Sequence, residues 1–240
     1  MNRFFASLVD NEVILSKESE HHLKDVLRIK ENEIIQLAIA EKVFNAKVLS
    51  LSPLKISLLE EVAENRESKI NCLIAFALLK GGHDDLVIQK GTELGVSSFF
   101  PLLTDRTIIQ LPKEKDKEKR KERFLKIAMG ASEQCKRTIA PTIHDITDFK
   151  EILKLDATYK FLAYEGEAGK SNSLFSYLKD FKENDSVLVA IGPEGGWSEK
   201  EVQLALDNGF KLLSLGKRIL RAETSSIYCA SLINAIGDTL

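Results

Sequence analysis

The sequence predicts a mixed α/β protein, with a small all-β barrel ahead of a larger domain built on a mostly parallel sheet. Three observations predict it. From Ile70 onward, strand-like and helix-like patterns alternate, the pattern of a parallel sheet covered on both faces. The first 68 residues hold instead several short strand-like runs divided by turn residues. Late in the chain an apolar run, a glycine-rich turn and a capped helix follow one another across 187–208, the order in which open α/β sheets build sites at strand ends.

In chain order, Phe4–Val9, Val13–Leu15, Ile34–Ala40, Val43–Ser50 and Leu54–Glu61 read as strands. Lys17–Leu27 has helical spacing, with Ser16 or Ser19 as its cap. The polar stretch Glu64-Asn65-Arg66-Glu67-Ser68 marks a boundary, so the expected domains are 1–68 and 69–240. Ile70–Leu79 is an apolar strand that runs into Lys80-Gly81-Gly82. The helix Asp84–Leu94 stops at Gly95, a residue suited to a left-handed cap. Ser97–Leu103 is the next strand, and Pro112 opens a long helix through about Cys135 whose first half carries opposite charges three and four apart. Later strands are Lys160–Tyr164, Val187–Ile191 and Lys211–Leu215, with helices near Ser173–Lys179, Glu199–Asn208 and Glu223–Ile236. On these patterns alone the sheet is an ordinary doubly wound one, since threaded topologies are rare.

Composition narrows the function classes. The longest uncharged apolar run, Cys72–Leu79, is far too short to cross a bilayer, so no membrane partner is expected. Met1-Asn2-Arg3-Phe4-Phe5 lacks a hydrophobic signal core, and Cys72, Cys135 and Cys229 lack CxxC spacing; free thiols in a cytoplasmic protein are the expectation. A net charge of −2 conceals a basic middle segment, residues 69–137, with 14 basic and 9 acidic side chains. That segment is the best candidate to meet a polyanion, although the Lys/Glu run at 113–123 reads as a solvated helix face. His21-His22 have no further His or Cys nearby, so no metal is expected; a helix cap or an RNA contact suits them better.

Most of the chemical content lies in Ile191-Gly192-Pro193-Glu194-Gly195-Gly196-Trp197-Ser198. Three glycines and a proline let the backbone approach a ligand closely and present bare amides to it. Ser198 with Glu201 three residues on is a capping box for the following helix. No Gly-Lys-Ser/Thr follows, which excludes a phosphate-binding P-loop, and the spacing of Gly192, Gly195 and Gly196 excludes the dinucleotide fingerprint. By itself the stretch also fits a tight turn with no ligand. A second loop, Leu215-Gly216-Lys217-Arg218-Ile219-Leu220-Arg221-Ala222-Glu223-Thr224-Ser225, sets two arginines around an Ile-Leu pair ahead of a helix start and reads as the opposite wall of one pocket. Tyr164-Glu165-Gly166 is a candidate third wall. Trp197, one aromatic beside an apolar strand, reads as packed in the core.

These loops, with motifs spread along the whole chain, resemble one family. The motifs are Arg3-Phe4-Phe5; His21-His22 with Val26-Leu27-Arg28; Asp85–Lys90 with Thr92-Glu93-Leu94-Gly95; Pro101-Leu102; Arg106; Glu133-Gln134 with Arg137; Ile191–Ser198; and Leu215-Gly216 with Arg218–Thr224. In that order they resemble the bacterial 16S ribosomal RNA uridine-N3 methyltransferases (the RsmE type) of the SPOUT superfamily. The resemblance implies a PUA-like barrel over 1–68 and a SPOUT domain with a trefoil knot over 69–240. It implies S-adenosylmethionine as cofactor, 16S ribosomal RNA or the small ribosomal subunit as partner, and a homodimer. The cofactor residues it implies are Tyr164, Glu165, Ile191, Gly192, Pro193, Glu194, Gly195, Gly196, Leu215, Gly216, Ile219, Leu220 and Thr224.

For the chemistry so implied, Arg221 is the candidate to steady negative charge on the uracil carbonyls. Glu194 or Glu223 is placed to accept the N3 proton or to orient that arginine, and a water-mediated route is equally open. Arg3, His22, Arg28, Lys80, Lys90, Arg106, Gln134 and Arg137 are the candidate RNA contacts. Lys80-Gly81-Gly82-His83-Asp84 departs from the usual Lys-x-Asp-Arg-type opening of the family. Two alternatives remain: methylation of another RNA base or a ribose, and a non-catalytic RNA-binding or ribosome-assembly protein.

Overall fold

The computed structural model describes residues 1–170 and 172–240. The chain forms two compact units, Met1–Glu67 with Met129–Ala140, and Ser68–Ala128 with Pro141–Leu240.

In the first unit, β1 (Arg3–Val9), β2 (Glu12–Leu15), β3 (Ile34–Ile39), β4 (Lys42–Leu51) and β5 (Leu54–Val62) form one sheet in the order β2-β1-β3-β4-β5. All pairs are antiparallel except β1 with β3. The outer strands β2 and β5 also touch, so the sheet curls around its own core of Phe4, Leu23, Ile35, Leu37 and Val48. The helix expected over 17–27 is shorter. α1 (Lys17–His21) passes into a π-helical turn at His22–Val26. Ser16 is its cap, accepting from the Ser19 N–H, while Ser19 is buried and donates to Glu133. Burial pushes the Glu133 carboxyl above its ordinary range, partly offset by hydrogen bonds from Ser19 and the Phe5 N–H and by the nearby His22.

The second unit contains β6 (Asn71–Ala77), α2 (His83–Glu93), β7 (Ser98–Leu103) and most of α3 (Glu114–Cys135). There follow β8 (Thr142–Ile143), β9 (Thr147–Asp148), α4 (Phe149–Leu153), β10 (Tyr159–Ala163) and α5 (Leu174–Tyr177). β11 (Ser186–Ile191), α6 (Glu199–Asp207), β12 (Lys211–Leu213) and α7 (Ala222–Gly237) complete it. The strands form a sheet ordered β12-β10-β11-β6-β7-β8, with β9 also on β7, and every pairing is parallel.

Side-chain alternation explains why these strands read as unbroken apolar runs. Val187, Val189 and Ile191 of β11 enter one core, with Phe76, Phe99, Phe161 and the α7 residues Cys229 and Ile233. Leu188 and Ala190 enter the other, with Phe149, Leu162, Trp197 and Phe210. A strand covered on both faces has no polar face to show. Expected and observed elements agree within a few residues at most ends, and Gly95 has the left-handed φ of +92 expected of it. Two strands stop early: β6 ends at Ala77 and β12 at Leu213. The short elements β8, β9 and α4 have no counterpart among the expected ones.

Candidate active site

Register brings the site together. Ala163 pairs with Ile191 on one side of β10 and with Leu213 on the other, so the carboxyl ends of β10, β11 and β12 lie level. The loops that leave these three neighbouring strands enclose a cavity of about 530 Å³, within the range of small-molecule and cofactor sites. Ile191, Gly192, Pro193, Glu194, Gly195, Gly196 and Trp197 form one wall; Leu215, Gly216 and Arg218–Glu223 form another; Ala163, Tyr164, Glu165 and Ala168 form the third. His83 and Ser225 complete the lining.

The first loop is fixed by its surroundings. Trp197 is 2% exposed, its Nε1–H donates to the Ala163 carbonyl (3.0 Å), and its ring lies against Phe149. A side chain at Gly192 would meet that ring 3.1 Å away. Gly196 has φ of +68, and a Cβ there would stand 2.4 Å from a Glu165 carboxylate oxygen, so only glycine serves. Arg106 donates from Nη1 to the Gly195 carbonyl (3.0 Å). The Glu194 carboxylate accepts the Lys80 backbone N–H (3.1 Å). The capping box is complete: Ser198 Oγ accepts from the Glu201 N–H, and the Glu201 carboxylate accepts from the Ser198 N–H. Glu201 also accepts the Asp105 N–H, and Ser198 donates to Asp105.

The second loop is open. Arg218, Ile219 and Arg221 are exposed, with Ile219 at 81%. Arg221 is the N-cap residue of α7, and Glu223, buried in its first turn, lies 3.4 Å from His83 Nδ1. Of the residues expected to hold a cofactor, Thr224 alone is not part of the lining; it is exposed on the first turn of α7. Three lining residues lie outside the three expected walls: His83, Ala163 and Ala168. Of these, His83 carries a signal in the sequence, a titratable ring at the start of a helix.

The RNA candidates fall into two groups. Arg3 is 2% exposed, and its guanidinium is committed to Glu64, Gln36 and the Lys136 carbonyl. Arg137 is 5% exposed and bound to Glu67, which also accepts the Thr138 and Ile139 N–H groups. Both expectations are corrected: these arginines knit the first unit together because a buried guanidinium requires its anions. His22 packs edge-on to Phe4, 4.0 Å from Glu133, and Lys90 pairs with Glu93. Arg28, Lys80, Arg106 and Gln134 are exposed.

The donor set suits S-adenosylmethionine. Glycine-rich backbone and the apolar Ile191, Leu215 and Leu220 offer a slot for a flat base. Glu165, Glu194 and Glu223 bring negative charge to the lining, suited to a sulfonium and an ammonium, and Arg218 brings positive charge suited to a carboxylate. Among the described residues no group of three or more His, Cys, Asp or Glu is placed to hold a metal ion, and no helix is long and apolar enough to cross a membrane.

A family model described as the RNA methyltransferase domain matches residues 66–234. The chain is 34% identical to the ribosomal RNA small subunit methyltransferase E of Bacillus subtilis (strain 168), over 98% of this chain and 96% of that protein. Identity to the protein of the same name from Synechocystis is 33%, over 97% of this chain and 76% of that one. The crystal structure of ribosomal RNA small subunit methyltransferase E from Neisseria gonorrhoeae bound to S-adenosylmethionine superposes with a TM-score of 0.85 at 30% identity, covering 100% of both chains.

Proposed function

The chain belongs to the RNA methyltransferase family, and from that premise we propose that it is an S-adenosylmethionine-dependent methyltransferase acting on N3 of a uridine in 16S ribosomal RNA of the small subunit. One observation carries this reading: three loops from adjacent parallel strands close on a single cavity whose lining suits that cofactor. When bound, S-adenosylmethionine supplies an electrophilic methyl group. The chain's own residues bind and orient. The backbone of 191–196 and 215–220, with Tyr164 and Glu165, holds the cofactor against the strand ends. Methyl transfer from a sulfonium needs no metal, so alignment of donor and acceptor carries most of the catalysis.

Uridine N3 becomes nucleophilic only as its proton leaves. Arg221, exposed at the cavity and without a protein partner among the described residues, donates to the uracil carbonyl oxygens as negative charge develops there. Glu194 and Glu223 differ in their commitments. Glu194 already accepts the Lys80 N–H, whereas Glu223 faces His83. Because N3 lies on the pairing edge, the base leaves its stack to react. Arg28, Lys80, Arg106 and Gln134 are the exposed groups best suited to the surrounding RNA.

The same reading extends to the finer architecture. The curled five-stranded sheet is taken as a PUA-like, RNA-contacting barrel over 1–68, and its touching outer strands support this. The loops of the 69–240 domain are taken as the SPOUT trefoil knot; β10 sits between two strands that follow it in the chain, which packs those loops side by side. A cytoplasmic homodimer completes the proposal. Calorimetry with S-adenosylmethionine and mass mapping of 16S ribosomal RNA from a deletion strain test it. Cofactor binding and loss of one N3-methyluridine are the expected results. An unaltered N3-methyluridine level rejects the substrate, and no binding at hundreds of micromolar cofactor rejects the enzyme.

A further inference from the structure

Two helix N-termini meet in the cavity wall, and each brings a titratable side chain to the junction. His83 is the first residue of α2, Glu223 stands in the first turn of α7, and the two helices pack together. Nδ1 of His83 lies 3.4 Å from a Glu223 carboxylate oxygen, and both residues line the cavity. Glu223 is the buried member, its side chain 11% exposed against 44% for His83. Arg221 lines the same wall two residues before Glu223. The other charged groups of this corner are Lys80, Asp84, Asp85, Glu165, Glu194 and Arg218. Asp84 pairs with Arg120, Asp85 with Arg123, and Glu194 accepts the Lys80 N–H. The side chains of Lys80, Arg218 and Arg221 make no hydrogen bond or ion pair among the described residues.

The balance at this junction turns on the imidazole. With His83 neutral, Glu223 is an uncompensated anion on the same cavity wall as the unpaired Arg221 guanidinium and attracts it. With His83 protonated, the carboxylate is satisfied and Arg221 is left for the base. We propose that His83 is a positioning residue, which through Glu223 decides whether Arg221 is held back or released to the uridine. This deepens the methyl-transfer reading and rests on it.

Across about pH 5 to 8, the range in which histidine as a side-chain type changes charge, the ratio of variant to wild-type kcat/KM cancels the titrations that the substitution leaves untouched. His83→Arg carries a permanent cation. Its ratio is expected near one at the acid end and about fivefold higher at the alkaline end. His83→Gln is expected about fivefold below wild type at the acid end and near one at the alkaline end. Ratios that do not change with pH, or that change in the opposite sense, overturn the proposal. A second measurement needs no turnover: thermal unfolding of His83→Gln, Glu223→Gln and the double variant. Coupling on the order of 1–3 °C is expected at the acid end and none at the alkaline end; no coupling at either overturns the pair. If the wild type makes no N3-methyluridine at any pH while the coupling is present, the methyl-transfer reading falls, and the role of Arg221 with it, but the ion pair stands.

Discussion

The loop at 192–198 is anchored at nearly every residue, whereas the loop at 215–221 is held by little beyond its start. In the first, Trp197, Arg106, Lys80 and the Ser198–Glu201 box each fix a different part of the backbone. In the second, Gly216 accepts from the Gly169 N–H and donates to Ser214, and Lys217, Arg218, Ile219 and Arg221 are exposed. Such a difference divides labour. A preformed wall costs no ordering when a ligand arrives, while an open one retains side-chain freedom to be spent on closing over it. On this reading the first loop recognises and the second responds.

Trp197→Ala tests the anchoring most severely. It removes a buried aromatic and the bond to the Ala163 carbonyl, at an expected cost of about 3–5 kcal/mol, measured by denaturant unfolding. A loss under about 1 kcal/mol would show that the first loop does not depend on its anchor. Arg221→Ala asks the opposite of the second loop. Stability and cofactor affinity by calorimetry are expected within a few fold of wild type. Turnover should fall by about 10²–10³, the loss seen when one oxyanion donor is removed. A comparable loss of cofactor affinity would make Arg221 part of the wall rather than a group aimed at the base.

The first loop was legible in the sequence because everything that shapes it is local. An apolar run gives the strand, three glycines the bends, and Ser198 with Glu201 the helix start. That Tyr164, Gly192 and Leu215 share one cavity was not legible from patterning. It depends on β10 pairing with both β11 and β12, a long-range choice that no window of residues contains; the family resemblance supplied it instead. Periodicity likewise gave α3 as one continuous helix but no sign that Met129–Cys135 would join the first unit. β8, β9 and α4, of two to five residues, are too short to show a period at all. Arg3 and Arg137 misled for another reason, since a basic residue looks the same in sequence whether it awaits a phosphate or is buried against Glu64 or Glu67.

Finer changes sharpen the contrast between the two walls. Ser198→Ala deletes one half of the capping box and the bond to Asp105 (2.7 Å). A stability loss of about 1 kcal/mol is expected, together with weaker cofactor binding, because the box fixes where the first loop ends. Unchanged affinity would mean that the loop keeps its shape without the cap.

Ile219→Ser gives the smallest expected effect and the most discriminating one. At 81% exposure the side chain adds almost nothing to folding, so unfolding should shift by no more than about 0.5 kcal/mol. If the second loop closes over the ligand, the apolar side chain is buried only then, and its loss weakens cofactor binding several-fold while leaving the free protein unchanged. Equal affinity in wild type and variant would show a loop that stays open throughout. A stability loss above about 1 kcal/mol would show instead that Ile219 is already covered in solution, which is what contact with a second copy of the chain would do.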